Sequence, residues 1–211
     1  MSKIFGIGLS KTGTSSLHNA LELLGYSSVH FPLTWAAFDS HDAASDLPVA
    51  CRFKELDERY PGSKFILTIR DMRGWLQSCA DHFGHRVKLE QFPVQLRVIF
   101  MWHRQQVFGT VGYDPVLFEE AYLRHLEHVQ QYFLSRPQDL LVLNICVGEG
   151  WKKLCPFLGY PILEVPFPHS NRASSLTKPN QDGNKGQIQG LAKGDIEDQG
   201  KFITQIFGVA T

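Results

Sequence analysis

The sequence predicts an α/β protein in three layers, a central parallel sheet flanked by helices on both faces. Two observations carry this. Short, near-continuous apolar runs rich in Ile, Leu, Val and Phe recur at residues 4–9, 65–69 and 140–145. Such runs suit strands covered on both sides. Between them lie segments with helical spacing of apolar residues, and strand–helix–strand alternation implies parallel pairing. A length of 211 residues suits one domain with its own core.

The elements follow in order. The first strand falls at about 3–9, and a helix at about 14–24 places Leu17, Leu21 and Leu24 on one face, with Gly25 as its stop. Tyr26 to Phe31 suits a short second strand ended by Pro32. A helix at about 51–60 stops before Pro61-Gly62, and Phe65-Ile66-Leu67-Thr68-Ile69 is the next strand. A helix follows at about 73–83. The middle of the chain is helical, from Phe92 to Phe108 and from Pro115, a favourable first helical residue, to about Leu134. Leu140 to Ile145 reads as a strand, and Gly150-Trp151 opens a short helix ending near Leu158-Gly159. Residues 1–172 thus form the domain. Residues 173–211 are polar, with little periodicity, and read as a tail, disordered or loosely docked, with one apolar patch from Phe202 to Val209.

Composition excludes several classes. Lys+Arg and Asp+Glu are each 21, so the net charge is zero and a sequence-independent nucleic-acid coat is not expected. No apolar run approaches the 18 or more residues of a membrane span, and the first residues do not form a secretory leader, so the expected location is cytoplasmic. The four cysteines, at 51, 79, 146 and 155, form no C-x-x-C pair and read as free thiols. Asp81-His82 with His85, and His125 with His128, have metal-like spacings, but no third ligand accompanies either and no metal is expected. Trp75, Trp102 and Trp151 read as core residues, with Trp75 the exception to watch because it lies between Arg70 and Ser78, and the charged residues of 119–136 read as a solvated helix face.

The strongest local signal is Gly8-Leu9-Ser10-Lys11-Thr12-Gly13-Thr14-Ser15-Ser16-Leu17, set between a buried strand and an amphipathic helix. A strand-to-helix turn aims free backbone N–H groups at one point, glycine permits close approach, and hydroxyls add donors. The spacing is that of a nucleotide triphosphatase loop, but Thr14 stands where that loop has its lysine, and Lys11 supplies the cation from the crown instead.

This run resembles the 5′-phosphosulfate loop, [ST]-K-x-G-[ST]-[ST], of the P-loop sulfotransferases that use 3′-phosphoadenosine 5′-phosphosulfate (PAPS). Ser10-Lys11-Thr12-Gly13-Thr14-Ser15 fits that form. Arg70 at the end of the second long strand, with Ser78 eight residues later, has the spacing of the same family's 3′-phosphate site. Tyr60 to Asp71, Leu140 to Ile145, Gly148 to Gly159 and Pro166 to Arg172 are similar to a compact branch of small sulfotransferase-like proteins. The resemblance implies a P-loop NTPase-like fold and transfer of a sulfuryl group from PAPS to a hydroxyl or amine of a small-molecule or glycan acceptor. It assigns the nucleotide to Ser10, Lys11, Thr12, Gly13, Thr14, Ser15, Arg70 and Ser78, with Arg172 as a further cation. Lys11 is also the catalytic cation.

A general base must accept the acceptor's proton. His30, at the end of the second strand, is the first choice and Asp46 the second; for His30 a plain rim histidine is an equal reading. Two rival functions use the same residues. A nucleotide kinase or hydrolase would want a lysine at position 14 and a strand-end acid for Mg²⁺, for which only Asp71 is placed. A non-catalytic nucleotide-binding module would keep the site without the base.

Overall fold

The computed structural model of the chain describes residues 2–86 and 89–170, with side chains from 85 to 88 excluded. Arg172, the polar segment 173–211 and the side chain of His85 lie outside the described residues.

Five parallel strands form one sheet: β1 (Ile4–Gly6), β2 (Ser28–His30), β3 (Ala43–Ser45), β4 (Lys64–Thr68) and β5 (Leu140–Leu143), in the order β2-β3-β1-β4-β5. The chain therefore winds out from β1 to one side and then returns past it to the other. Such a reversal opens a crevice at the carboxyl end of the central strand.

Helices cover both faces. On one, α1 (Thr14–Leu23) and α8 (Gly150–Leu158) bury Leu17, Leu21 and Leu154 against Ile4, Ile66 and Leu143. On the other, α4 (Phe53–Arg59) and α7 (Pro115–Tyr132), with the single turns α2 (Trp35–Ser40) and α3 (Leu47–Ala50), enclose Phe5, Phe65, Leu67, Leu56, Val129 and Phe133. Alternate residues of β1 and β4 thus face opposite layers, which is why both runs are apolar throughout. Gly6 sits under α1: a Cβ there would lie 2.8 Å from the Leu17 side chain. A third cluster, built on Trp75, Phe108 and Phe118, joins α5 (Met72–Cys79), α6 (Val94–Phe108) and α7 beyond the strand ends.

The structure departs from the sequence expectations in three places. Ala43–Ser45 is a strand that the sequence reading passed over. The helix expected at 51–60 is Phe53–Arg59, and two short helices, Trp35–Ser40 and Leu47–Ala50, lie ahead of it where the sequence reading placed none. The helix expected at 73–83 ends at Cys79 and continues as a π-helix, Ala80–Arg86.

Candidate active site

The loop between β1 and α1 lies at the sheet's reversal point. Gly13 is the residue before α1, with φ of +107°. That conformation suits glycine, and with no side chain it cannot cap the helix. No other side chain caps α1 either. The first helical amides are therefore aimed, without a side-chain acceptor, into the crevice. Gly8 is held tighter still, since a Cβ would lie 1.9 Å from Thr68 Oγ1 and 2.6 Å from the Thr68 carbonyl.

The loop is braced from below. Thr12 is fully buried, and its amide and hydroxyl both donate to the Leu9 carbonyl, at 3.2 and 2.6 Å. Its hydroxyl proton being used there, the Thr68 hydroxyl donates to Thr12 Oγ1 across 2.6 Å. The Trp75 indole N–H donates to the Ser10 carbonyl at 2.9 Å from the centre of the third cluster. Trp75 is thus a core residue as expected, with the added task of holding the loop crest.

Arg70 follows β4, half-buried. Its Nη1 reaches within 3.5 Å of the Lys11 carbonyl, so the guanidinium is turned toward the loop. The Tyr122 hydroxyl accepts from the Arg70 amide at 2.9 Å and donates to the Arg70 carbonyl at 2.8 Å, pinning the strand end. Asp71 caps α5, its Oδ1 accepting from the Gly74 amide at 2.7 Å. Ser78 lies on the same helix, half-buried.

His30 and Asp46 end adjacent strands, β2 and β3, and the structure brings them together. His30 Nε2 lies 3.3 Å from Asp46 Oδ2, 3.2 Å from Thr14 Oγ1 and 3.3 Å from Ser15 Oγ. Ser10 Oγ donates to Asp46 Oδ1 at 2.5 Å. Both candidate bases and three loop hydroxyls therefore share one network. On the far side of His30, the His18 ring is 5.8 Å away, its imidazole pushed below the ordinary value by burial and, against the pull of Glu22, by His30.

The backbone here is unusual. Among the described residues the non-glycine positions with positive φ are Lys11 at 73°, Phe31 at 60° and Asp46 at 86°. All three follow strands at this one edge of the sheet. With ψ of −173°, Asp46 occupies a region that is essentially glycine's alone.

A model of the sulfotransferase domain family matches residues 3–35 and 32–176. The chain belongs to the sulfotransferase domain family. Among its curated relatives is "Ava biosynthesis cluster protein M" of Aspergillus versicolor, 27% identical over 208 residues that cover 79% of this chain and 80% of the relative. The α/β fold of this sulfotransferase-family chain, with its all-parallel sheet, agrees with the fold expected from the sequence.

Two features of the site escaped the sequence reading. Tyr122 acts on Arg70 from a remote helix, and only the fold brings it near. The expected solvated face of α7 is partly wrong: His125 Nε2–H donates to the Ile7 carbonyl at 2.7 Å, and burial pushes its imidazole down to about 4. Among the described residues no group of three or more His, Cys, Asp and Glu could hold a metal ion, and no helix is long and apolar enough to cross a membrane.

Proposed function

We propose that the protein is a sulfotransferase that moves the sulfuryl group of PAPS to a hydroxyl or amine of an acceptor. The observation that supports this most is an uncapped helix N-terminus whose loop carries one cation, Lys11, and is approached by a second, Arg70. Lys11 sits on the crown of the loop, and Arg70 turns to the same loop from β4. The amides at the start of α1, with the Thr14 and Ser15 hydroxyls, are placed to hold the 5′-phosphosulfate. Thr12 shapes the loop from beneath, and Ser10 links it to Asp46. Arg70, Ser78 and Arg172 are assigned to the 3′-phosphate, where a planar guanidinium fork suits phosphate oxygens.

In the transfer, the bond between sulfur and the bridging phosphate oxygen breaks as a bond from the acceptor oxygen or nitrogen to sulfur forms. The leaving group is adenosine 3′,5′-bisphosphate, whose developing negative charge falls next to Lys11 and the α1 amides. The acceptor's proton passes to His30 Nε2. Asp46, 3.3 Å from that nitrogen, stabilises the imidazolium so formed and is the second candidate for the proton. Most of the acceleration is positioning and charge stabilisation, as in phosphoryl transfer.

Calorimetry with adenosine 3′,5′-bisphosphate against 5′-AMP tests the reading. The bisphosphate is expected to bind at least tenfold more tightly, and Lys11→Ala and Arg70→Ala each to lose about tenfold or more. Equal affinity for 5′-AMP removes the 3′-phosphate assignment.

A further inference from the structure

Asp46 is the residue ahead of α3, a place where aspartate ordinarily turns its carboxylate back to cap the helix. Here the side chain makes no cap bond. Its Oδ1 accepts from the Ser10 hydroxyl at 2.5 Å, and its Oδ2 lies 3.3 Å from His30 Nε2. Asp46 and Ser10 are both buried, so the carboxylate depends on these two groups for the partners that water would give it. It holds this place with φ of 86° and ψ of −173°, a backbone that costs a non-glycine residue free energy. A carboxylate that forgoes a cap and sits in strained backbone has a use beyond its local helix.

The other end of the contact is fixed as firmly. The Ser10 carbonyl accepts from the Trp75 indole N–H at 2.9 Å, so the residue is held by its backbone and its side chain at once. A serine hydroxyl has one proton, and an ionised carboxylate can only accept; the proton is therefore committed to Asp46. The oxygens of an ionised phosphosulfate only accept as well. While Ser10 serves Asp46 it has no donor left for the nucleotide. The resemblance to the phosphosulfate loop counts Ser10 among the nucleotide's ligands; the geometry gives its hydroxyl another partner.

We infer that Ser10 is a positioning residue for the His30–Asp46 pair and not a ligand of the nucleotide: its hydroxyl holds Asp46 Oδ1 so that Oδ2 stays against His30 Nε2. The inference rests on the sulfotransferase reading for its purpose, since that pair is the one proposed to take the acceptor's proton. The crest that carries Lys11 and the pair that takes the proton are then joined by one hydrogen bond. In-line transfer needs its groups on the two sides of the moving sulfur set in one frame, and this bond sets them. Without it, the carboxylate is free to turn back to the α3 amides and leave His30.

Two measurements on the full chain test this. The first is calorimetry with adenosine 3′,5′-bisphosphate: Ser10→Ala is expected to bind it within threefold of the wild-type protein, whereas the neighbouring Lys11→Ala loses about tenfold. The second needs no nucleotide. It is NMR of protein with isotope-labelled histidine rings at one fixed pH, the His30 signals being assigned by their loss in His30→Gln. Asp46→Asn is expected to displace the His30 ring signals, and Ser10→Ala to displace them at least half as far. Ser10→Thr, which keeps the hydroxyl, is expected to leave them near the wild-type position, and the His125 signals are expected to stay in place throughout. A larger loss of bisphosphate affinity in a folded Ser10→Ala protein, a smaller displacement of His30, or a folded Ser10→Thr protein that shifts as far as the alanine variant overturns the inference. If Ser10→Ala does not fold, Ser10→Cys, close in shape but a weak donor, carries both comparisons. Equal wild-type affinity for the bisphosphate and 5′-AMP removes the nucleotide reading, while the NMR comparison reports on Ser10 without any nucleotide, so the two failures are told apart.

Discussion

The two halves of the sheet's carboxyl edge are built by opposite means. Beyond β1 and β4 the backbone is held by many good hydrogen bonds: Thr12 to Leu9, Thr68 to Thr12, Trp75 to Ser10, and Tyr122 to both polar groups of Arg70. Beyond β2 and β3 two successive strand ends, Phe31 and Asp46, hold positive φ, against Lys11 alone in the first half among the described non-glycine residues, and His103 keeps an unpaired nitrogen. The first half is a rigid cradle suited to a ligand that is always the same. The second stores unfavourable local energy around the groups proposed to take the acceptor's proton, which is where strain persists when a site needs it.

Substitutions that enter the cradle are expected to have the largest effects. Gly8→Ala would put a methyl 1.9 Å from Thr68 Oγ1 and 2.6 Å from a backbone oxygen that cannot rotate away. A destabilisation of about 3 kcal/mol or more is expected, a fall in Tm on the order of 6–12 °C for a chain of this size. Thermal unfolding checks it. A Tm unchanged within a degree would mean that the strand ends are looser than their geometry indicates.

Next in size is a dependence on pH set by the two buried histidines, one in each half. His125 donates to Ile7, directly after β1, and His103 lies beyond β2 and β3; burial pushes each to about 4 from an ordinary 6.5. Both fold in the neutral form. As pH falls below 6.5, the unfolded chain takes up protons that the folded chain refuses, so stability is lost between about 6.5 and 4. Each residue contributes up to roughly 2–3 kcal/mol over that window. Urea unfolding at pH 7 and pH 4.5 is expected to show the loss, and His103→Gln or His125→Gln to remove part of it. A flat profile in the wild-type protein would show that both imidazoles are open to water.

Trp75→Phe is a smaller intrusion into the cradle. It keeps a large ring in the core but removes the indole N–H, leaving the Ser10 carbonyl without that donor. About 2 kcal/mol of stability is expected to be lost, with a several-fold weakening of bisphosphate binding as the crest loosens. Weaker folding with unchanged binding would mean that Trp75 supports the core alone.

The same contrast explains what the sequence allowed to be read. The cradle was legible because its parts are contiguous: a strand, a glycine–hydroxyl run, a helix, and a strand ending in Arg70. Its braces were not, since Trp75, Tyr122 and His125 sit on helices at positions that an apolar pattern assigns to core or surface alike. The other half was scarcely legible. Ala43–Ser45 is three small residues without the β-branched signal, and it is a strand because β1 and β2 pair with it on either side. Missing it hid the fact that Asp46 ends a strand beside His30. The pairing of Asp57 with Arg136 and Tyr132 across 79 and 75 residues was equally invisible to a local reading of α7 and its end.

The most discriminating comparison has the smallest expected size. At Asp46 the backbone, with φ of 86° and ψ of −173°, is one that glycine adopts freely and alanine does not. The carboxylate meanwhile accepts from Ser10 and approaches His30. Asp46→Ala removes the carboxylate and keeps the strain; Asp46→Gly removes both. The glycine variant is therefore expected to be more stable than the alanine variant by about 1 kcal/mol or more, the reverse of the usual order in regular structure. Neither is expected to keep the proposed sulfuryl transfer near the wild-type rate, because the protonated His30 loses its carboxylate and Ser10 loses its acceptor. Differential scanning calorimetry of the two variants settles the order. If alanine proves the more stable, the positive-φ geometry at Asp46 is not a stored strain, and the contrast between a well-braced half and a more strained one fails at its sharpest point.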